Sequence, residues 1–342
     1  MNRTLDFRTG LGSAGMLIVF FTLFCIDTYA QTNLYPAKED GAYGFINASG
    51  EMIIPPQFDG AMEFSEGLAP VQIGGFWGYV DESGELIIDT LYEKVFGFSE
   101  NLARVMLQGK WGYVDTEGNM VVEPRFTGAL DFSEGYAPIR RVARGKEKWG
   151  FIDREGNEIM RPRYGGALPF ADGLAPVELK KKFGIVTTGG QWGFINSEGK
   201  VIIEAGYATA RSFKDGISLV HSGKAYQFID KDNELVVEAP YQRVYPFSEG
   251  LARVYDEDGW GYINQEGEVA VELQFDHAND FSNGLALVKY GQKWGYINKE
   301  GAFQIEPRFD QGWSFSGELA RVYAEGEVKY VNDVGVIVWP KN

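Results

Sequence analysis

Trp-Gly followed by an aromatic residue recurs at Trp77, Trp111, Trp149, Trp192, Trp260 and Trp294, and degenerate copies begin at Tyr43, Tyr226 and Val328. Successive starts lie 34, 34, 38, 43, 34, 34, 34 and 34 residues apart. A module this short cannot enclose a core by itself, so its copies have to bury their apolar faces against one another. This defines an array of eight to nine units over residues 43–340, with degenerate units at both ends.

The interior of each unit is equally regular. The fifth residue of each start is Asp or Asn: Asn47, Asp81, Asp115, Asp153, Asn196, Asp230, Asn264, Asn298 and Asn332. Three residues later comes Gly, or Asn233 in one unit. Asp/Asn opening and Gly closing a four-residue step is type I turn chemistry. An aliphatic pair and a closing aromatic follow, as in Ile87-Ile88 and Tyr92. Then come Phe-Ser-Glu-Gly and Leu-Ala-x-Val segments, such as Phe64 to Gly67 and Leu68 to Val71. The pattern reads as three strands joined by tight turns, without a helical period. With 44 Gly and 50 aromatic residues (24 Phe, 18 Tyr, 8 Trp), the composition matches that reading.

The segments Gly109-Lys-Trp-Gly-Tyr-Val-Asp115 and Gln292-Lys-Trp-Gly-Tyr-Ile-Asn298, with the Phe-Ser-Glu-Gly-Leu-Ala stretches, resemble the WG-repeat family of bacterial proteins. The resemblance spans nearly the whole array and departs from the pattern at Tyr226-Gln227 and Val328-Lys329. It implies an all-β bacterial repeat protein and supplies no catalytic motif. The fold expected is all-β, with tandem ~34-residue β-meander repeats. These stack in an open twisted array, with a β-propeller-like ring as the alternative. Two features favour the open array. Eight Phe-Ser segments face nine starts, and both terminal copies lack Trp. Pro70, Pro138 and Pro176 occupy the variable position of Leu-Ala-x-Val, where a central strand would want an N–H.

Residues 1–30 read as an address. Arg3 and Arg8 precede an apolar run from Leu11 to Cys25, and Thr28-Tyr29-Ala30 ends it, as in a secretory signal peptide cut after Ala30. Residues 31–42 then form a short lead. The run falls short of the ~20 residues that span a bilayer, so no membrane span is expected after signal removal. Removing the leader takes away Cys25, the sole cysteine, which suits an exported location in the periplasm, at the cell surface or outside. The 32 basic and 48 acidic residues give a net charge of −16, which argues against nucleic acid as partner.

Regular recurrence assigns the tryptophans to the buried stacking row and the Asp/Asn row to turns rather than to calcium. His221 and His277 have no metal-ligand spacing, and no nucleophile elbow, phosphate loop or cysteine site is present. No catalytic residue, metal or cofactor is therefore nominated. The two long spacings fall in consecutive units, between Leu-Ala-x-Val and Trp-Gly, and both are basic. Insertions in repeat arrays commonly build one binding face. The candidate partner site is Arg140, Arg141, Arg144, Lys146, Lys180, Lys181 and Lys182. The function expected is a non-catalytic binding or scaffold module for a protein or polysaccharide, with an anionic partner at the basic insertions. The alternatives are a carbohydrate-active hydrolase assembled from carboxylates of distant units, and a structural spacer.

Overall fold

The computed structural model describes residues 33–340, apart from 184 and 185 and the side chains of residues 180–189. The leader expected over residues 1–30 lies outside them. The described residues form nine small antiparallel sheets in chain order and no helix. The second sheet shows the plan: Gly60–Ala61, Leu68–Ile73, Phe76–Asp81 and Leu86–Tyr92, each strand pairing with the next. The first sheet has three strands among the described residues, Tyr35–Glu39, Ala42–Ile46 and Met52–Phe58.

The nine sheets are the blades of a closed ring, a nine-bladed β-propeller, which corrects the preference for an open array. Three observations close it. In eight of the nine blades the turn glycine lies on the last strand of the blade before, as Gly84 does on Ile54 and Gly118 on Ile88; Gly50 of the first blade lies on Val338 of the ninth. Tyr35, Ala37 and Ile46 share a buried cluster with Leu319, Tyr330 and Trp339. The Tyr330 hydroxyl donates to the Pro36 carbonyl at 2.7 Å, and the Glu318 N–H to the Tyr35 hydroxyl at 2.8 Å.

Both arguments for the open array have a structural answer. The ninth copy of Leu-Ala-x-Val is Leu34-Tyr-Pro-Ala37, which supplies the opening strand of the first blade ahead of Tyr43. Its unmatched appearance comes from Tyr35 standing where the other copies carry Ala or Ser. The prolines are tolerated in a central strand because the first strand is only two residues long in the second and fourth blades, and in the fifth a single bridge, Ala167↔Val177, takes its place. In the second blade the ladder stops at Gly60↔Gln72 and Ala61↔Val71, and Pro70 takes part through its carbonyl alone, which accepts the Met62 N–H at 2.9 Å. Pro138 and Pro176 do the same with Leu130 and Leu168.

The core lies between blades. The aromatic two residues after each Trp is fully buried, as Tyr79, Tyr113, Phe151, Phe194, Tyr262 and Tyr296 show. Each packs on the Phe of the next blade's Phe-Ser segment, with ring centroids 5.0 Å apart for Tyr79–Phe98 and 4.8 Å for Tyr113–Phe132. The tryptophans sit at the margin of these clusters. Trp77, Trp111, Trp149, Trp192 and Trp294 are half-buried, and of the six only Trp260 is buried. The expected buried row therefore belongs to the residue two positions on, and the Trp covers its edge.

Candidate functional site: a cationic cleft on the fourth blade

The basic insertion of the fourth blade does not make a loop. It lengthens a hairpin: strands Ala137–Ala143 and Lys146–Ile152 pair in unbroken register around Arg144-Gly145. Both turn residues have positive φ, 52° and 74°, as a two-residue type I′ turn requires. The fifth blade also lengthens this hairpin, with strands Ala175–Phe183 and Val186–Ile195, but its register shifts between Lys180 and Lys182. Along a strand, alternate residues point to opposite faces, so a run of basic residues is split between the two sides of the sheet.

The split decides which residues meet. Arg140 is opposite Trp149 and turns to that face, where its guanidinium lies 5.6 Å from the Trp149 ring and pairs with Glu147 at 3.3 Å. Arg141, opposite Lys148, turns to the other face. There Arg141, Ala143, Arg144, Lys146, Lys148, Arg161, Pro162 and Arg163 line an open cleft of about 570 Å³. Arg141 is held by Glu158 through Nε to Oε1 at 2.7 Å and Nη2 to Oε2 at 2.9 Å. That bidentate bond raises its already high pKa further, against the opposing effect of burial. Arg163 donates to the Tyr164 hydroxyl at 2.9 Å. Among the described residues, Arg144, Lys146, Lys148 and Arg161 have no carboxylate partner.

Of the seven candidate residues, Arg141, Arg144 and Lys146 thus line one cleft, and Arg140 faces away from it. Lys180, Lys181 and Lys182 lie in the strand Ala175–Phe183, and their side chains are outside the described residues. The sequence reading missed Lys148 and, above all, Arg161 and Arg163 on the fourth strand, Glu158–Tyr164. A signal for Arg161 exists. Three residues before the closing aromatic, the other units carry Asp89, Glu123, Glu204, Glu238, Glu272 and Glu306, with Pro55 in the first. Only the fourth unit reverses the charge there. At the same place on the seventh blade, Asp256, Glu257, Asp258 and Glu272 line an acidic depression of about 710 Å³.

The Asp/Asn row is accounted for by the turns. All nine side-chain oxygens accept backbone N–H groups two or four residues on, as Asp81 Oδ1 does from Ser83 at 2.9 Å and Glu85 at 2.9 Å. His277 lies between the rings of Trp260 and Trp294, at 5.3 and 5.4 Å. No helix among the described residues is long and apolar enough to cross a membrane.

A comparison with curated proteins gives no match. Among solved structures the chain is similar to apo AztD from Citrobacter koseri, at 11% identity and a TM-score of 0.41, covering 88% of this chain and 91% of that one. It is similar to the dihydro-heme d1 dehydrogenase NirN in complex with DHE, at 13% identity and a TM-score of 0.44, covering 81% and 72%. It is also similar to PorZ, a bacterial surface component of the type-IX secretion system of Porphyromonas gingivalis, at 12% identity and a TM-score of 0.33. That match covers 91% of this chain and 51% of PorZ. The family model described as WG containing repeat matches eight times, over residues 43–75, 77–111, 111–141, 149–183, 192–222, 228–259, 260–294 and 294–326. With the Trp-Gly strand recurring around the whole ring and the model matching most of its length, the chain belongs to the WG containing repeat family.

Proposed function

We infer that this protein is an exported, non-catalytic binding or scaffold module whose partner is anionic and docks on the fourth blade. The single observation that carries the reading is the cleft of Arg141, Arg144, Lys146, Lys148, Arg161 and Arg163 on a chain of net charge −16. Six of the nine blades carry an acidic residue at the position of Arg161, and only the fourth reverses the charge there, on an exposed side chain. Such a departure has no value for ring stability, since Arg144, Lys146 and Arg161 are exposed. Clefts lined by one sign of charge concentrate the opposite sign and speed its capture. Export is supported by the order of charged, apolar and small residues over 1–30.

The test is binding of the purified protein to an anionic resin and to acidic polymers, for the wild type and for Arg161→Glu with Lys148→Glu. The double reversal is expected to abolish retention while leaving the melting temperature unchanged. Equal retention of the variant and the wild type refutes the reading. For export, the N-terminus of the protein recovered from its native envelope is expected at Gln31.

A further inference from the structure

We propose that the cleft recognises a linear anionic polysaccharide rather than an acidic protein, and that Arg161 and Arg163 are its specificity-determining residues. This rests on the reading of the fourth blade as the partner site.

The first argument is what the cleft lacks. Its lining residues other than cations are Ala143 and Pro162. Protein partners are held by a desolvated centre of aromatic and aliphatic anchors, with charges at the rim. Here charge occupies the centre and no apolar anchor point is offered. A ligand held by such a surface has to carry its anions densely, with little apolar area between them.

The second argument is spacing. Lys146 and Lys148 are two apart on the third strand, and Arg161 and Arg163 two apart on the fourth. Residues two apart on a strand share a face at ~7 Å. The fourth strand pairs Tyr164 with Trp149 and Met160 with Phe151, so Arg161 and Arg163 stand on its bulge beside Gly150, and Lys146 and Lys148 continue the line past its paired end. The result is a short run of cations along the cleft, suited to a chain with an anionic group on successive sugar units. Arg141 adds less charge to the track, because Glu158 neutralises it through Nε and Nη2. Arg144, at the hairpin tip, extends it beyond the sheet.

The third argument is the origin of the two arginines. Arg125 and Arg308 occur at the position of Arg163 in other units, but there the neighbour two residues earlier is Glu123 or Glu306. Only the fourth unit carries Arg at both places; Arg163 Nη2 also donates to the Tyr164 hydroxyl and the Gly199 carbonyl, so the pair offers the whole Arg161 guanidinium and the remaining donors of Arg163 to carboxylate or sulfate.

Binding is measured by titration calorimetry on the whole protein, using polygalacturonate, dextran sulfate, neutral dextran, poly-glutamate and single-stranded DNA at one ionic strength. Polygalacturonate or dextran sulfate is expected to bind, neutral dextran not at all, and poly-glutamate at least tenfold more weakly than the better glycan. Arg161→Glu and Arg163→Gln are each expected to weaken glycan binding at least tenfold. Arg308→Gln, at the matching place on the eighth blade, is expected to leave it unchanged. Poly-glutamate or DNA binding as tightly as the glycans overturns the polysaccharide assignment and leaves an unselective anion-binding site. Absence of binding to every anionic probe overturns the site itself. Retained glycan binding in both fourth-strand variants overturns the role of the two arginines. Each variant is exposed at its side chain, and an unchanged melting curve confirms that it folds.

Discussion

At the residue scale, the glycine of Trp-Gly has a mechanical reason that composition alone does not reveal. Trp77 is opposite Tyr92 and Tyr79 opposite Ile88, so two steps on one strand match four on the other. The fourth strand bulges at this point, and its backbone folds over Gly78, where a Cβ would run into the Ile88 carbonyl oxygen. The same holds at Gly44, Gly112, Gly150, Gly193, Gly261 and Gly295. The exceptions obey the rule. Where Gln227 replaces Gly, the strands pair in regular register as Gln227↔Glu238, and Lys329 has no partner on the last strand. Gly112→Ala is therefore expected to cost about 1–3 kcal/mol through forced backbone displacement, and Gln227→Ala well under 1. Chemical denaturation of the two variants checks this, and equal effects would remove the explanation. Each Trp-Gly was legible as a strand start, but the need for Gly was not, because it arises from a bulge in a strand about ten residues further on.

A second residue-scale expectation concerns His277, held between Trp260 and Trp294. Burial, and then the cations Arg253, Lys289 and Arg243, hold its pKa below the ordinary 6.5. The folded protein thus keeps this imidazole neutral where the unfolded chain would protonate it. Its contribution to stability is full above pH 6.5 and is lost as the pH falls through the lowered folded value. The melting temperature of the wild type is expected to fall on acidification below pH 6.5, and that of His277→Phe to fall less steeply. Parallel pH profiles would discount the histidine.

At the scale of the element, the Phe-Ser-Glu-Gly segment does two jobs that its regularity concealed. Within a blade, Glu66 and Gly67 have φ of 50° and 83° and close a two-residue type I′ turn. Between blades, the same segment is a connector. Ser65 Oγ accepts the Phe98 N–H at 2.7 Å, and the Glu66 carboxylate accepts the N–H groups of Glu100 and Asn101 at 2.9 and 2.7 Å. Glu100 then accepts from Gly135, Glu134 from Gly173, and Asp172 from Gly216. The segment was readable as a turn, but not as a link to the next unit, since the donors to its side chains are backbone N–H groups about 34 residues away. Glu100→Ala leaves the turn intact and strips the Gly135 N–H, with an expected loss of about 1 kcal/mol. Denaturant titration measures it; a loss no larger than that of an exposed Glu85→Ala control would contradict the linking role.

At the scale of the molecule, the ring was the harder half of the reading. Strand, turn and repeat all follow from local spacing, whereas closure depends on residues nearly three hundred positions apart. The deciding clue was a single substitution, Tyr35 for the alanine of Leu-Ala-x-Val. In seven blades the carbonyl of the third residue of this segment accepts an N–H from just beyond the first strand, as Leu130 gives to Pro138 and Trp313 to Arg321. In the first blade the Pro36 carbonyl accepts the Tyr330 hydroxyl instead, and the Tyr35 ring lies 6.0 Å from that of Tyr330, where other blades insert Phe. The cationic cleft was half legible for a related reason: Arg141, Arg144 and Lys146 stand out in a linear run, while Arg161 joins them only through the sheet. Tyr35→Ala removes a buried aromatic and is expected to cost about 3–5 kcal/mol, with faster amide exchange in the first and ninth blades than elsewhere. Uniform exchange around the ring would count against a special role for Tyr35.

Among the described residues, the junction between the first and ninth blades is made by side chains packing on one another and bonding to backbone groups, and no strand is shared across it. The circle can therefore part there without breaking any ladder. Among the described residues no locking strand fixes the number of blades. Duplicating or deleting an internal module would leave the two end modules, and the clasp of Tyr35 and Tyr330, unchanged.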